Sequence, residues 1–534
     1  MSTTSDTALH DLKDQINEWV EEIIPADYPK RYPSDKDEKV IRETVSGYQI
    51  LKPHEHVLID SPIVQRLRYI HQTALSYYVY PTATHTRFDH SLGVAKIAGD
   101  IGHWLGKEDS QIEALRLAAL LHDVGHSFFS HLSEGLIGTR FQDTFESIKE
   151  IDLFRDKEPG EIISYLIVTS PRFQKLLQNV LNHYNRNVSI EMVGRLIIGK
   201  PKEPELFGYL GDIISGPFDA DKLDYLIRDC RFTGIRADVD VDRVIIAATE
   251  LDPDKFKGFQ KHIGQGSQRQ IVREPSSFPN RYLIMKSSGA SNLEQIVLNK
   301  ILLFPAIYHH HKVRALECMV KAIFEVIWDN PDKKGRDKRL KFEKISDFLR
   351  LSEFDFFSLG MSDEELSPLV RRLLNRDLLK RCLVLTPNYI VKDPQLRLED
   401  LLRLSDEYPK RARQEQINKL RQFIWDELPK KYRTSLHDLW VDIPKPPNID
   451  DDVNRCWINI GTEWLVPLRE FFPYSEWLDT YEANKLKGHV FYVADNTYRK
   501  EVNKVAERVF QDVFLGVEFD PRATTECKLE HPQG

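Results

Sequence analysis

The chain has 534 residues, 41% of them hydrophobic and 29% charged, which fits two or three domains of a water-soluble globular protein. No window approaches the roughly 18 uninterrupted apolar residues of a membrane span. The opening residues lack the basic-then-apolar pattern of a secretion signal, and a net charge of −8 gives no overall attraction to nucleic acid or anionic lipid. Five scattered cysteines (Cys230, Cys318, Cys382, Cys456 and Cys527) fit a reducing cytoplasm and argue against a disulfide framework or a thiolate zinc site.

In chain order, Leu9, Leu12, Ile16, Trp19 and Ile23 predict an amphipathic helix over 8–24. The proline-rich, charged stretch PADYPKRYPSDKDEK reads as a linker ending near Lys39. Helical periodicity then recurs over 61–73, 89–105, 110–122, 160–168, 172–183, 219–229 and 293–328, with VLID and YYVYP as short strands or extended loops. The basic segment NPDKKGRDKRLKFEK (330–344) reads as a boundary or surface loop, 345–430 as helical, and KGHVFYVADN followed by TYRKEVNKVAERVFQDVF as a strand and then a helix. The expected fold is mainly α with a smaller α+β C-terminal region. Three units are expected: an N-terminal helix and linker (1–38), a catalytic core (39–328), and the α+β region (329–534) serving assembly or regulation.

The segment LLHDVGHSFFSH (120–131) ends an apolar run with three histidines and an aspartate. His122 and Asp123, with His90 upstream and Asp221 downstream, offer two imidazole nitrogens and two carboxylates. That mixed donor set suits manganese, iron or zinc better than magnesium, which prefers oxygen alone. The alternative reading is a set of capping histidines that hydrogen-bond internally.

HTRFDHSLGVAKIA, LAALLHDVGHSFFSH and FDADKLDYLIRDC resemble the metal-site segments of HD-domain metallophosphohydrolases. IDSPIVQRLRYIHQTALSYYVYPTATHTRFDHSLGV is similar, more narrowly, to the deoxynucleoside triphosphate triphosphohydrolases, in the branch containing the animal SAM-and-HD-domain enzyme. The resemblance covers residues 39 to 320 well and the C-terminal third weakly, and no SAM domain is expected in residues 1–38. It implies an HD-domain helical core and hydrolysis of a deoxynucleoside triphosphate (dNTP) to deoxynucleoside and triphosphate. It further implies a divalent ion (manganese, iron, zinc or magnesium) on His90, His122, Asp123 and Asp221, with magnesium accompanying bound nucleotide. His131 matches the proton donor, a task suited to imidazole; Glu134 matches its orienting partner, where relatives carry aspartate, and His126 matches a contact to the α-phosphate. Arg87, Lys222 and Lys300 match triphosphate contacts, Lys300 replacing an arginine. Gln72 and Asp229 match sugar 3′-hydroxyl contacts, Tyr225 the phosphate side, and Tyr308 the tyrosine under the deoxyribose. Lys39, Asp60, Gln65, Arg68, Lys286 and Asn292 match an activating-nucleotide site, with Ser288 replacing a lysine. Other departures are Gly160, where relatives carry a histidine, and ETVSG (43–47), where they carry DPIHG. Implied partners are the dNTP substrate, a dNTP or GTP activator and further copies of the chain as a tetramer or hexamer. The basic loop raises single-stranded nucleic acid as a side hypothesis, and no membrane is implied. A role in lowering dNTP pools, for nucleotide homeostasis or defence against viruses or phage, fits that chemistry. A phosphodiesterase acting on a signalling nucleotide and a nucleotide sensor with weak catalysis are the competing readings.

Overall fold

The computed structural model describes residues 4–237, 239–251, 258–262, 269–272, 281–389, 410–445, 447, 449–461, 464–472, 474–514 and 517–528. Helix α1 (Thr4–Ile23) buries Leu12, Ile16, Trp19 and Val20 along one stripe, as its spacing predicts. The segment after it has no helix or strand up to Lys39, yet it is strapped to the core. Tyr28 Oη donates to the Val57 carbonyl at 2.6 Å, and Tyr184 Oη donates to that of Pro33 at 2.8 Å. A hairpin follows, β1 (Lys39–Glu43) and β2 (Gly47–Leu51). Its turn is the ETVSG segment, closed by Glu43 accepting from the Val45 and Ser46 amides and by Gly47 at φ 74°.

The next stretch departs from the periodicity. VLID is not extended: Val57, Leu58 and Ile59 complete helix α2 (Pro53–Ile59). Residues 61–73 are not one helix either, because Ser61 caps a fresh turn at Pro62 that tightens into 3₁₀ geometry over Arg66–Tyr69. The first residues of YYVYP likewise lie in a 3₁₀ turn, Ala74–Tyr78. Tertiary anchoring sets these short turns: Arg66 Nη2 donates to the carbonyls of both Val124 and His126 at 2.7 Å.

Five helices follow their predicted spans closely, α3 (Arg87–Trp104), α4 (Asp109–Leu121), α6 (Pro159–Val168), α7 (Pro171–His183) and α8 (Ala220–Thr233), whereas α5 (His131–Arg140) has no counterpart among the predicted spans. Gly93 lets α8 lie close across α3, since a Cβ there would fall 1.9 Å from Asp224 Oδ1. The expected 293–328 helix is two, α9 (Ala290–Leu303) and α10 (His311–Asp329), separated by a π turn over Phe304–Tyr308. Pro305 explains the break, because it lacks the amide a continuous helix needs.

Within the region read as helical over 345–430, Lys380–Leu385 forms a strand, β3. Cys382 to Leu385 are all buried, and a short run buried on every side has no period to separate strand from helix. Helix α11 (Lys410–Glu427), strand β4 (Trp440–Asp442) and the short helix α12 (Asp450–Arg455) follow. Strand β5 (Gly488–Tyr492) lies between β3 and β4 in an antiparallel sheet, and helix α13 (Asn496–Val513) packs on it, as expected for an α+β region. One buried apolar cluster runs from Leu12 to Ala523. At its centre Phe128, from the histidine-rich segment, packs with Phe324, Phe342, Phe348 and Phe356. The basic 330–344 loop is also tied down: Arg336 is buried against Asp363 and Glu365, while Lys341 pairs with Asp332 and Lys344 with Glu18. No described helix is long and apolar enough to cross a membrane.

Candidate metal centre

The N-terminal half of α3, the end of α4 and the first turn of α8 meet at one point. His90 Nδ1 donates to Asp224 Oδ2 at 2.8 Å, which turns Nε2 toward Asp221 Oδ1 at 2.9 Å. His122 Nδ1 donates to the Ala119 carbonyl at 2.6 Å, leaving its Nε2 3.4 Å from Asp123 Oδ1 and 4.0 Å from Asp221 Oδ1. Both Nε2 atoms are buried and neither makes a hydrogen bond. An imidazole lone pair facing a carboxylate at this range is repulsive unless a cation lies between them. Burial opposes a charge on His90, but Asp221 and Asp224 outweigh it and raise its pKa to about 10, the electrostatic mark of a ring placed to meet a cation. Asp221 is held below the usual carboxylate range, burial being outweighed by His90 and His122.

Donor atoms bound about 2.1 Å from a common ion stand about 3 to 3.5 Å apart. The His90, His122 and Asp221 ligand atoms all lie within 4.8 Å of one another, so among the described residues this set fits a divalent ion. Asp123 stands at the edge of the group. Its Oδ2 accepts from Arg87 Nη1 at 2.6 Å and lies 3.8 Å from His90 Nε2, while its Oδ1 faces His122 and, at 3.3 Å, His126.

The turn joining α4 to α5 places the other two histidines. Phe129 and Ser130 take left-handed φ values of 60° and 49°, a conformation that costs non-glycine residues energy and persists only when packing enforces it. Buried Phe128 supplies that packing. Ser130 Oγ donates to the His71 carbonyl at 2.6 Å and accepts from Arg87 Nε at 2.9 Å. His131 emerges exposed, with Nδ1 3.1 Å from Glu134 Oε2. His126 is buried, and burial together with Arg87 pushes its pKa down to about 4, so it is neutral at pH 7. Burial opposes ionisation of Glu134, but hydrogen bonds from the His131 ring and the Gly160 amide help hold its pKa below the usual carboxylate range.

The same geometry explains Gly160. Its amide donates to Glu134 Oε1 at 2.9 Å, and a Cβ there would lie 2.8 Å from His126 Cε1 and 2.9 Å from Glu134 Oε1. A glutamate at 134 and a glycine at 160 therefore fit one another. The longer carboxylate reaches a backbone amide through space that a side chain would occupy. Beyond His131 and Glu134 an open cleft of about 620 Å³ is also lined by Arg140, Glu158, Arg413 and Lys445.

The cations matched to phosphate are all engaged. Arg87 holds Asp123 and Ser130, with Nη2 unpartnered. Lys222 Nζ donates to the Gly216 carbonyl at 2.6 Å and to Asp219 Oδ2 at 2.9 Å, and Lys300 Nζ donates to Asp452 Oδ2 at 2.6 Å. The sugar-side residues also form a group. Asp229 accepts from Tyr308 Oη and lies 2.7 Å from His85 Nε2, and buried Gln72 Oε1 has no hydrogen-bond partner. Tyr225 stands among Asp221, Asp452, Asp219 and Asp229; burial and these carboxylates raise its phenol pKa.

The residues matched to an activator site fall into separate groups. Lys39 Nζ lies 3.1 Å from His56 Nε2, which lies 3.0 Å from Asp60. Gln65 accepts from Arg68, whose guanidinium stacks 3.6 Å over Phe88. Lys286 stands over Trp104, and Asn292 is half-buried on α9. Residue type and spacing left Asp224, His85, Ser130, Asp219, Arg66 and Asp452 unassigned. Asp224 had one available signal, since it sits one helical turn after Asp221 on the same face of α8.

The HD domain family matches residues 87–183, and the HD associated region matches residues 268–513. An uncharacterized protein of Methanocaldococcus jannaschii is 30% identical over 318 residues, 59% of this chain and 56% of that protein. The human deoxynucleoside triphosphate triphosphohydrolase SAMHD1 is 31% identical over 240 residues, 40% of this chain and 37% of the human protein. The chain thus spans about half or less of the length of these relatives. A hypothetical protein from Aquifex aeolicus shares the fold, with a TM-score of 0.56 at 23% identity over 88% of this chain and 99% of the other. The chain is an HD-domain protein in which an HD-associated region follows the HD domain.

Proposed function

We propose that the protein is a metal-dependent phosphohydrolase that converts a deoxynucleoside triphosphate and water into a deoxynucleoside and inorganic triphosphate. The observation that carries the reading is the pair of buried, unpartnered imidazole nitrogens of His90 and His122 facing the Asp221 carboxylate. A divalent ion held by His90, His122, Asp221 and Asp123 supplies Lewis acidity for phosphoester chemistry when bound. Water attacks the α-phosphorus, the bond to the 5′ oxygen breaks, and that oxygen takes a proton from His131. Glu134, 3.1 Å from His131 Nδ1, holds the ring in place for that transfer. Neutral His126 and Arg87 face the phosphate side, where Arg87 Nη2 is the donor still to be used. Asp229, Tyr308 and Gln72 receive the sugar, Gln72 Oε1 offering an acceptor to its 3′-hydroxyl.

The name of the human relative carries this activity, and the motifs around Gln72, Arg87, Asp229 and Tyr308 support its transfer to this chain. Nucleotide activation and assembly into a tetramer or hexamer belong to the same reading. Asp60 and Arg68, exposed beside Gln65, are suited to meet a guanine edge. The test is incubation of the protein with each dNTP and each candidate metal in ¹⁸O-water, with products resolved by chromatography and mass spectrometry. Deoxynucleoside plus ¹⁸O-labelled triphosphate is the expected pair; monophosphate or diphosphate products refute it. Gel filtration with and without dNTPs or GTP checks assembly, and an unchanged monomer throughout refutes the oligomer.

A further inference from the structure

One carboxylate at the phosphate side comes from far along the chain. Asp452, on the short helix α12 (Asp450–Arg455), accepts from Lys300 Nζ at 2.6 Å, and its other oxygen lies 3.7 Å from Lys222 Nζ. Asp452 is 6% exposed and Lys300 7%. The fold builds this meeting. α12 leads through Cys456 into the strand Trp457–Asn459, which pairs in parallel with Leu283–Lys286, whose chain continues into α9 and Lys300. Tyr474 Oη fixes the start of α12 by donating to Asp450 at 2.8 Å. Asp452 also neighbours the metal-ligand group through Lys222, the residue that follows Asp221.

A buried ion pair holds only while each charge keeps a partner. For Lys300 to reach a polyphosphate, Asp452 must give it up, and the incoming anion must replace its charge beside Lys222 too, which keeps Asp219 as its nearer partner. We propose that Asp452 is a built-in competitor for the substrate's phosphates, so that only an anion charged enough to displace it can claim both lysines. The inference rests on the reading that these lysines bind polyphosphate. It adds a selectivity for charge: a triphosphate carries more negative charge with which to displace the carboxylate than a single phosphate group does. It also makes the HD-associated region sensitive to whether the site is filled, because Asp452 and its helix lie within that region.

The test uses the full chain and inorganic tripolyphosphate as probe, followed by calorimetry. Asp452→Asn keeps the shape and removes the charge. It should bind tripolyphosphate about tenfold tighter than the wild type, with a smaller gain for orthophosphate. Asp450→Asn, which removes a charge from the same helix outside the site, should leave both affinities within about twofold. Adding Lys300→Ala to Asp452→Asn should erase the gain. Unchanged or weaker tripolyphosphate binding by Asp452→Asn overturns the proposal, as does an equal gain from Asp450→Asn. A second measurement needs no variant. The amides of Val453 and Cys456 close α12 onto the Ile449 and Asp452 carbonyls, and tripolyphosphate should speed their hydrogen exchange in the wild type. Slower or unchanged exchange at saturating tripolyphosphate overturns the displacement. Because the probe is neither a nucleotide nor read through turnover, these results stand whichever substrate the protein hydrolyses.

Discussion

On the proposed reading, the metal side and the phosphate side of the site are built on opposite principles. On the metal side the donors are oriented and left waiting: Asp224 and the Ala119 carbonyl set the two imidazoles, and their Nε2 atoms have no hydrogen-bond partner. On the phosphate side each cation already has an anionic partner, Arg87 with Asp123, Lys222 with Asp219, and Lys300 with Asp452. The first arrangement favours any divalent cation of suitable softness. The second sets a threshold, since a ligand must outcompete carboxylates supplied by the protein. Preorganisation thus serves capture on one side and discrimination on the other.

The largest expected effect breaks the metal side. His122→Ala combined with Asp123→Ala should abolish bound metal by elemental analysis and lower turnover by at least about a thousandfold. Retained turnover would show that the metal assignment is wrong. Asp224→Asn tests orientation without removing a ligand. It should weaken metal binding about 10- to 100-fold in a chelator titration, because His90 loses the carboxylate that fixes its tautomer. An effect within twofold would mean the Gly93 approach alone positions that ring. Gly160→Ala is expected to be milder. Its methyl group meets His126 and Glu134, an overpacking cost of about 1–3 kcal/mol that should appear as a lower Tm and about a tenfold lower kcat. Glu134→Asp in the same chain should recover part of both losses by withdrawing the crowded carboxylate.

How far the sequence disclosed these two sides differs for a physical reason. Helices α3, α4, α6, α7 and α8 carry long apolar stripes, and their spans were legible to within two residues except at the C-terminal end of α8, which runs on to Thr233. The donors His90, His122 and Asp221 sit at helix ends, where chemistry-bearing residues interrupt that stripe. The partners do not announce themselves this way. Asp452 lies 152 positions after Lys300, and only a parallel strand pairing brings them together. Arg66 and Ser130 act through backbone carbonyls and a left-handed turn, neither of which has a residue pattern. The 3₁₀ turns at 66–69 and 74–78 are set by such contacts, and β3 is too short and too evenly buried to show a period. Pro305, by contrast, did mark the break between α9 and α10, and the apolar spacing on either side of it masked the signal.

The smallest expected effect distinguishes charge from competition at Lys300. If this lysine were only a phosphate ligand lacking a fork, Lys300→Arg would add a second donor and lower KM several-fold. With Asp452 in place, a fork can bind both carboxylate oxygens of that residue as readily as a phosphate. The arginine should therefore be held more firmly than the lysine, and KM should rise about two- to fivefold. In an Asp452→Asn background the same substitution should lower KM, since the competing carboxylate is gone and the fork faces the substrate alone. The sign change between backgrounds is the measurement, read from KM with kcat recorded alongside. A change of the same sign in both would mean that Lys300 and Asp452 do not compete with substrate, and the phosphate side would then be as openly preorganised as the metal side.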